Sequence, residues 1–179
     1  GFRESELKKT YKTFETDAHL FKSHVNKDPA KAIGKVVKAF YNDRMHRVEL
    51  IVMLDNSKAP DVAKKVQNQE DVGVSMGCRI KYDVCSICGN EAANRSEYCK
   101  HAKFQMGEIL SDGRVVYVDN PNPKFFDISV VWRPADRTGY MLKKVALHGA
   151  RSGGYTESSA LLADKVAGLT VLAQAVQKA

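Results

Sequence analysis

Short segments rich in β-branched and apolar residues, separated by turn-forming residues, run through the middle of the chain. Residues 32–39 and 47–55 flank the turn-prone pair Asn42-Asp43, a pattern typical of a β-hairpin. Three more places show strand or hairpin signals: residues 72–80, residues 125–132, and residues 108–118 around Ser111-Asp112-Gly113. The chain is therefore predicted to be mostly β, with flanking helices.

Helical signals lie on both sides of these strands. Ser57 is placed to cap a helix over residues 59–69, which has Pro60 in its first turn. The charged residues 3–10 are expected to form a short helical lead-in. Polar and apolar residues then alternate over residues 10–16, which predicts a strand.

The end of the chain has a different composition. Residues 149–155 are rich in glycine and serine and are expected to form a flexible loop. Apolar residues from Leu161 to Val176 then predict an amphipathic C-terminal helix over residues 156–179. Residues 1–148 would form the folded domain.

Composition restricts the class of protein. The chain has 179 residues, of which 44% are hydrophobic and 27% charged, as expected for one globular domain. Its formal charge of +7 favours polyanionic surroundings, but no compact basic run is present, so specific nucleic-acid binding is not predicted. Neither an apolar stretch of membrane-spanning length nor a signal-peptide region is found. A cytoplasmic protein without a membrane partner is expected.

Four cysteines lie between residues 78 and 99, and in a reducing compartment such clustering indicates metal binding more than disulfides. Zinc takes four thiolate and imidazole ligands in tetrahedral geometry. A Cys-x2-Cys pair and a Cys-x-His pair supply the expected ligands: Cys85, Cys88, Cys99 and His101. The sequence therefore predicts a closed, structural Zn²⁺ site in an insertion over residues 83–103. Cys78 is the alternative to His101 as fourth ligand.

Three segments far apart in the sequence each carry one reactive side chain. A serine hydroxyl needs an adjacent base to attack a carbonyl, histidine titrates near working pH, and an acid behind the imidazole fixes its tautomer. The three segments are His24 before Ile33-Gly34-Lys35-Val36, Ser75 in Ser75-Met76-Gly77, and Asp127 before Ser129-Val130-Val131 and Pro134-Ala135. His19 competes with His24 for the role of the base.

This order of motifs resembles the prohead maturation proteases of tailed phages, a family similar in fold to the herpesvirus assemblins. The resemblance covers roughly residues 11–140 and implies Ser75 as nucleophile, His24 as base and Asp127 as the acid, where many members have glutamate. It implies a small, mostly antiparallel β-barrel that carries the zinc-knuckle insertion. Backbone N–H groups of Met76 and Gly77 are expected to contribute to an oxyanion hole, with a basic residue such as Arg133 or Arg137 in support.

The resemblance also implies a biological setting. The substrates would be phage scaffold and major capsid precursor proteins, cleaved inside the prohead as it assembles in the host bacterial cytoplasm. A homodimer that pairs through the C-terminal helix is compatible with the family. The start at Gly1 and the end at Ala179 fit a product of self-processing.

Two other classes of function are compatible with parts of the sequence. One is a catalytically inactive head component that keeps the protease fold, although intact motifs argue against it. The other is a basic zinc-ribbon module that binds nucleic acid. Aromatic residues for base stacking are sparse near the cysteines, with only Tyr98 and Phe104.

Overall fold

The computed structural model describes the backbone of residues 1–146 and 169–177 and the side chains of residues 1–141. The helices are α1 (Glu4–Thr10), α2 (Thr13–Asp17), α3 (Pro60–Gln67) and α4 (Lys100–Phe104), with 3-10 turns at Pro29–Lys31 and Arg95–Glu97. The strands are β1 (His19–Lys22), β2 (Gly34–Asn42), β3 (Arg47–Leu54), β4 (Gly73–Arg79), β5 (Asp83–Cys85), β6 (Glu91–Ala92), β7 (Val118–Asp119), β8 (Lys124–Val131), β9 (Met141–Ala146) and β10 (Leu169–Gln177).

A seven-stranded sheet in the order β4-β8-β1-β2-β3-β10-β9 forms the body of the described structure. Its neighbouring strands are antiparallel except for β1 and β8, which run parallel. The strands from β4 to β3 curl into a half-barrel, and a bridge between Gly73 and Tyr140 joins the start of β9 to the edge of β4. The described chain is thus mixed α/β, with a curled sheet and few helices, and a closed barrel of assemblin type stays a prediction.

Several local predictions are confirmed. The hairpin around Asn42 is formed by β2 and β3, which pair from Asn42 and Arg47 back to Gly34 and Leu54. Helix α3 begins at Pro60 and buries its apolar face, as the spacing predicted, but its N-cap is Ala59 and the Ser57 hydroxyl bonds to Asp55 instead of capping the helix. The short strands β5, β6 and β7, with Cys85 at the end of β5, form a separate three-stranded sheet that the sequence did not predict.

The hydrophobic core lies between one face of the main sheet and helices α1 to α3. The rings of Phe14 from α2 and Phe125 from β8 stack with centroids 4.3 Å apart and an angle of 7°. Both residues are fully buried, so this contact attaches the amino-terminal helices to the strand that carries Asp127.

The strand predicted over residues 10–16 is wrong, because α2 occupies most of that segment. Leu7, Tyr11 and Phe14 recur at intervals of four and three, which places them on one helical face. Leu7 and Phe14 are fully buried, and Tyr11 packs against the core. This longer period outweighs the local alternation, which spans too few residues to decide between strand and helix.

The C-terminal helix is also wrong where the structure describes that segment, because residues 169–177 form β10. This strand pairs with β3 on one side and β9 on the other, so it is an integral part of the sheet. A strand between two others gains hydrogen bonds on both edges, and the β-branched residues Thr170, Val171 and Val176 favour it. The predicted loop over residues 149–155 and the first part of the predicted helix lie outside the described residues.

The stacked pair gives a test of the core. Replacing Phe14 with alanine should lower the free energy of unfolding by about 3–5 kcal/mol, because a fully buried ring is lost and a cavity remains. Urea unfolding followed by circular dichroism measures the change. The matched control is Phe104→Ala, since that ring is 76% exposed and should change stability by less than about 0.5 kcal/mol. Equal effects at the two positions would contradict this core assignment.

Candidate active site and metal cluster

An imidazole and a buried carboxylate meet on the face of the sheet that points away from the hydrophobic core. The Nδ1 atom of His24 lies 2.6 Å from Oδ2 of Asp127. A carboxylate only accepts hydrogen bonds, so Nδ1 donates and the neutral ring keeps Nε2 as an acceptor. The His24 side chain is 39% exposed whereas that of Asp127 is fully buried. The pair therefore presents an imidazole to solvent on a fixed carboxylate.

Two further side chains hold the Asp127 carboxylate. The Ser129 hydroxyl donates to Oδ1 at 2.7 Å, and the Asn26 side-chain amide donates to Oδ2 at 2.7 Å. Together with His24 these residues supply three donors to a carboxylate that has no contact with water. Burying such a group is costly unless it is hydrogen-bonded, so this network is what allows Asp127 to lie inside the protein.

The loop after β1 brings His24 back over β8. The N–H of Ser23 donates to the carbonyl of Val130 at 2.9 Å, and the N–H of His24 donates to Oγ of Ser129 at 3.3 Å. Ser23 and His24 have φ values of 49° and 56°, in the left-handed region that residues other than glycine adopt at a cost. The contacts to β8 hold the loop in this conformation.

A β-bulge in β8 places Asp127 on this face. Gly77 of β4 pairs with Asp127 and Cys78 pairs with Phe125, which leaves Phe126 without a partner across the ladder. Phe125 and Ile128 pack in the core, whereas Asp127 and its partners lie on the other side of the sheet. Bulges commonly redirect side chains beside functional sites. Because of this one, Asp127 points to the polar face of the sheet although Phe125, two residues earlier, points into the core.

Gly77 makes room for the carboxylate. A Cβ atom at this position would lie 3.0 Å from both Cβ and Oδ2 of Asp127. Any larger residue would therefore push against Asp127 in the neighbouring strand. The sequence predicts only a backbone role for Gly77, in an oxyanion hole, and the structure adds a role in the packing of the acid.

Ser75 lies on the same face, one strand away from the imidazole-bearing loop. It is two residues before Gly77, so both positions face the same side of β4. Ser75 pairs directly with Ser129, on which the backbone of His24 rests. The Ser75 side chain is half-buried, and within residues 1–141 its hydroxyl forms no hydrogen bond to His24. The structure therefore brings Ser75 beside the His24–Asp127 pair without joining them.

The predicted oxyanion donors are backbone N–H groups of β4 and the side chain of Arg133, and the alternation of β4 decides where its N–H groups point. The N–H of Val74 donates to the carbonyl of Gly139, on the side of β4 away from β8. Met76 lies two residues after Val74, so its N–H points to the same outer edge of β4. The Met76 side chain packs against the core. Arg133 is exposed in the segment after β8 and forms no hydrogen bond within the described side chains. The N–H of Gly77 alternates with that of Met76 and points toward β8, where Gly77 pairs with Asp127. Of the predicted oxyanion donors near Ser75, only the Met76 N–H therefore points away from the β4–β8 ladder.

His19, the alternative base, is not the partner of the acid. It pairs with Asp127 in the parallel register of β1 and β8, but its ring contacts Phe21, with centroids 6.2 Å apart. Among the described side chains, the histidine that bonds to Asp127 is His24. Sequence spacing alone did not distinguish the two.

The predicted metal ligands form a second cluster, beside the small sheet. One ligand atom from each of Cys85, Cys88, Cys99 and His101 lies within 4.8 Å of all the others, so the cluster could hold a metal ion. The sulfurs of Cys88 and Cys99 are 3.5 Å apart. Nδ1 of His101 lies 3.9 Å from the sulfurs of Cys85 and Cys99. The cluster is half-buried, with Cys85 buried and Cys88 exposed.

Local structure explains how these ligands meet. The N–H of Gly89 donates to the carbonyl of Cys85 at 3.0 Å, in a tight turn that Gly89 completes with a φ of 70°. Cys99 directly precedes α4, and the backbone N–H of Ala102 donates to its sulfur. This hydrogen bond is the main reason why the pKa of the Cys99 thiol is lowered to about 6. A thiolate is the form that binds metal.

Cys78 lies outside the cluster. It is part of β4 and packs against the hydrophobic core. Burial raises the pKa of its thiol, so Cys78 stays protonated, unlike Cys99. Of the two candidates for the fourth ligand, the structure places His101, and not Cys78, with Cys85, Cys88 and Cys99.

Comparison of the chain with protein-family models, with curated proteins and with solved structures gives no match. Among the described residues, no helix is both long and apolar enough to cross a membrane.

Sequence reasoning missed Asn26 and Ser129 as members of the site. A signal for Ser129 was available, because a residue two positions after Asp127 lies on the same face of a strand. Asn26 gave no comparable signal, since its contact with Asp127 depends on the left-handed turn at Ser23 and His24.

Two serines that face each other across β4 and β8 test the network. Replacing Ser129 with alanine should lower the free energy of unfolding by about 1–3 kcal/mol, because Oδ1 of Asp127 and the N–H of His24 lose a buried partner. The same replacement at Ser75 should cost less than about 0.5 kcal/mol, since its hydroxyl forms no hydrogen bond with the side chains or backbone that the structure describes. Chemical unfolding of the two variants measures the difference. Similar losses in both would show that the network does not support the loop.

Proposed function

We propose that the chain is a serine endopeptidase in which Ser75 is the nucleophile, His24 the general base and Asp127 the orienting acid. The observation that carries the proposal is the 2.6 Å contact between His24 and Asp127, with Ser75 on the same face of the adjacent strand. A histidine on a buried carboxylate beside a serine is the arrangement that activates a hydroxyl for acyl transfer.

The chemistry follows from the free ring nitrogen. Nε2 of His24 accepts the proton of the Ser75 hydroxyl as its oxygen attacks the peptide carbonyl, and the imidazolium is stabilised by Asp127. His24 then gives the proton to the leaving amine, which releases the first product and leaves an acyl ester on Ser75. Water then attacks that ester while His24 takes its proton, and His24 returns the proton to Oγ of Ser75 as the C–O bond breaks and the acid product leaves. The N–H of Met76, at the outer edge of β4, is the candidate donor to the oxyanion.

The proposed substrates are scaffold and major capsid precursor proteins of a tailed phage, cleaved inside the prohead, with self-processing as part of the same activity. This rests on the order of three motifs, around His24, Ser75 and Asp127, that resembles the prohead maturation proteases. The carboxylate network adds support, because Ser129 of the third motif has a physical task in holding Asp127. An assemblin-type barrel and a homodimer belong to the same proposal.

The second part of the proposal is that the cysteine and histidine cluster holds structural Zn²⁺. A tetrahedral zinc with Zn–S bonds of about 2.3 Å separates its sulfur ligands by roughly 3.8 Å. The observed distance of 3.5 Å between Cys88 and Cys99 and of 3.9 Å from Cys85 to His101 fit such a shell. Four protein ligands would close it, so bound zinc would supply structural stability and the Ser75 mechanism would not use it.

Activity measurements on single variants test the protease. Ser75→Ala and His24→Ala should each lower kcat/KM by at least about 10³-fold, because each removes a group that acts in the transition state. His19→Ala is the matched histidine control and should retain activity within about tenfold. Cleavage of co-expressed capsid precursor, followed by mass spectrometry, measures the rate.

Retained cleavage in the Ser75→Ala protein would refute the mechanism. Absence of any cleavage by the folded wild-type chain would favour the inactive head component instead. Labelling with a fluorophosphonate that reacts with activated serines gives a readout that does not depend on the choice of substrate.

Metal analysis tests the zinc site. The purified protein should contain about one zinc per chain, and Cys88→Ser should lose most of it, because one of four ligands is weakened. Cys78→Ser is the matched cysteine control and should keep the metal. A metal-free protein that unfolds at the same temperature with and without a strong chelator and with added Zn²⁺ would refute this site.

A further inference from the structure

A groove of about 380 Å³ opens where β1 and β8 end and β4 begins. Its floor and walls include the apolar side chains of Val62, Val72 and Val130, and Tyr140 lies on one side. Trp132 stands at the rim with 96% of its surface exposed. The volume is at the low end of the range for ligand pockets and accommodates one or two side chains of a bound polypeptide.

The groove lies at the end of the strands that carry the candidate active site, with Val62, Val72 and Val130 on the core side of the sheet. Ser23 lines it and is followed by His24, while Gly73 lines it two residues before Ser75. Strand residues rise about 3.3 Å each, so a chain lying along β4 passes from Ser75 to the groove within roughly two residues. A side chain close to the bond held at Ser75 would therefore reach the groove where it opens at the start of β4.

The charges of the groove indicate which side chain fits. Lys22 is paired with Asp61 at 2.6 Å, and the other two charged residues, Lys65 and Asp71, have opposite signs. The groove has no net charge with which to select an acidic or a basic side chain. The apolar part of its surface comes from valine, tyrosine and tryptophan side chains. Tryptophan is among the residue types most enriched at binding hot spots.

We propose that this groove binds an apolar side chain of the polypeptide that lies across the candidate site, within about two residues of the bond at Ser75. The inference rests on the proposed protease for its substrate, but the binding itself requires no catalysis. Trp132 and Tyr140 would be the residues that determine specificity.

Fluorescence of the only tryptophan in the chain reports this groove alone. The protein is the Ser75→Ala variant, so that nothing is cleaved. The probes are tryptophan-free decapeptides of serine and alanine in which one central position carries leucine, phenylalanine, aspartate or lysine. The leucine and phenylalanine peptides should shift the emission to shorter wavelength and bind at least about fivefold more tightly than the charged ones. Free N-acetyl-tryptophanamide with each peptide is the control for non-specific effects.

The outcomes separate the two proposals. Equal affinity for apolar and charged peptides, or no change in emission, overturns the groove even if the wild-type protein cleaves capsid precursor. Selective binding by a protein whose wild-type form cleaves nothing supports the groove and overturns the protease. In an active enzyme, Trp132→Ala should reduce the preference for leucine over aspartate at least fivefold, chiefly through KM, and an unchanged preference would overturn the assignment of Trp132.

Discussion

The structure on one face of the main sheet depends on the fully buried carboxylate of Asp127. Asp127 lies in the interior strand β8 with no exposed surface, and three donors from outside its own backbone satisfy it. A carboxylate taken out of water without such partners would destabilise the fold by several kcal/mol. The hydrogen bonds from the loop after β1 and from the Ser129 hydroxyl therefore stabilise the buried carboxylate, and the same bonds fix the position of the His24 imidazole.

The neighbouring features depend on this arrangement. Phe126 is bulged so that Phe125 stays in the core while Asp127 faces the opposite side. Gly77 has no Cβ because one would lie 3.0 Å from the acid. The left-handed conformation of Ser23 and His24 turns the imidazole over β8. An unpaired strand residue, a glycine in a strand and a strained turn each destabilise a fold in isolation. Here all three accommodate the buried carboxylate of Asp127.

Local chemistry made part of this predictable. Cys85, Cys88, Cys99 and His101 were identified together because ligand spacing within a short segment carries three-dimensional information. His24 and Asp127 were paired only through a resemblance of motif order, since their separation gives no local signal. The C-terminal strand was missed because a segment apolar at most positions fits a helix or a central strand, and only its pairing with β3 and β9 decides. Asn26 was missed because its contact with Asp127 depends on a turn that spacing does not encode, whereas Ser129 lies two residues after Asp127 on the same strand face and was available to be found.

The parallel alignment of β1 and β8 has a consequence for timing. The imidazole and its carboxylate are 103 residues apart in the chain, and they meet only when β8 enters the sheet between β4 and β1. Such non-local pairing forms late relative to hairpins like β2–β3. A nascent chain in which β8 has not yet joined the sheet therefore has no oriented imidazole, and any reactivity at this place arises only after β8 has paired with β1.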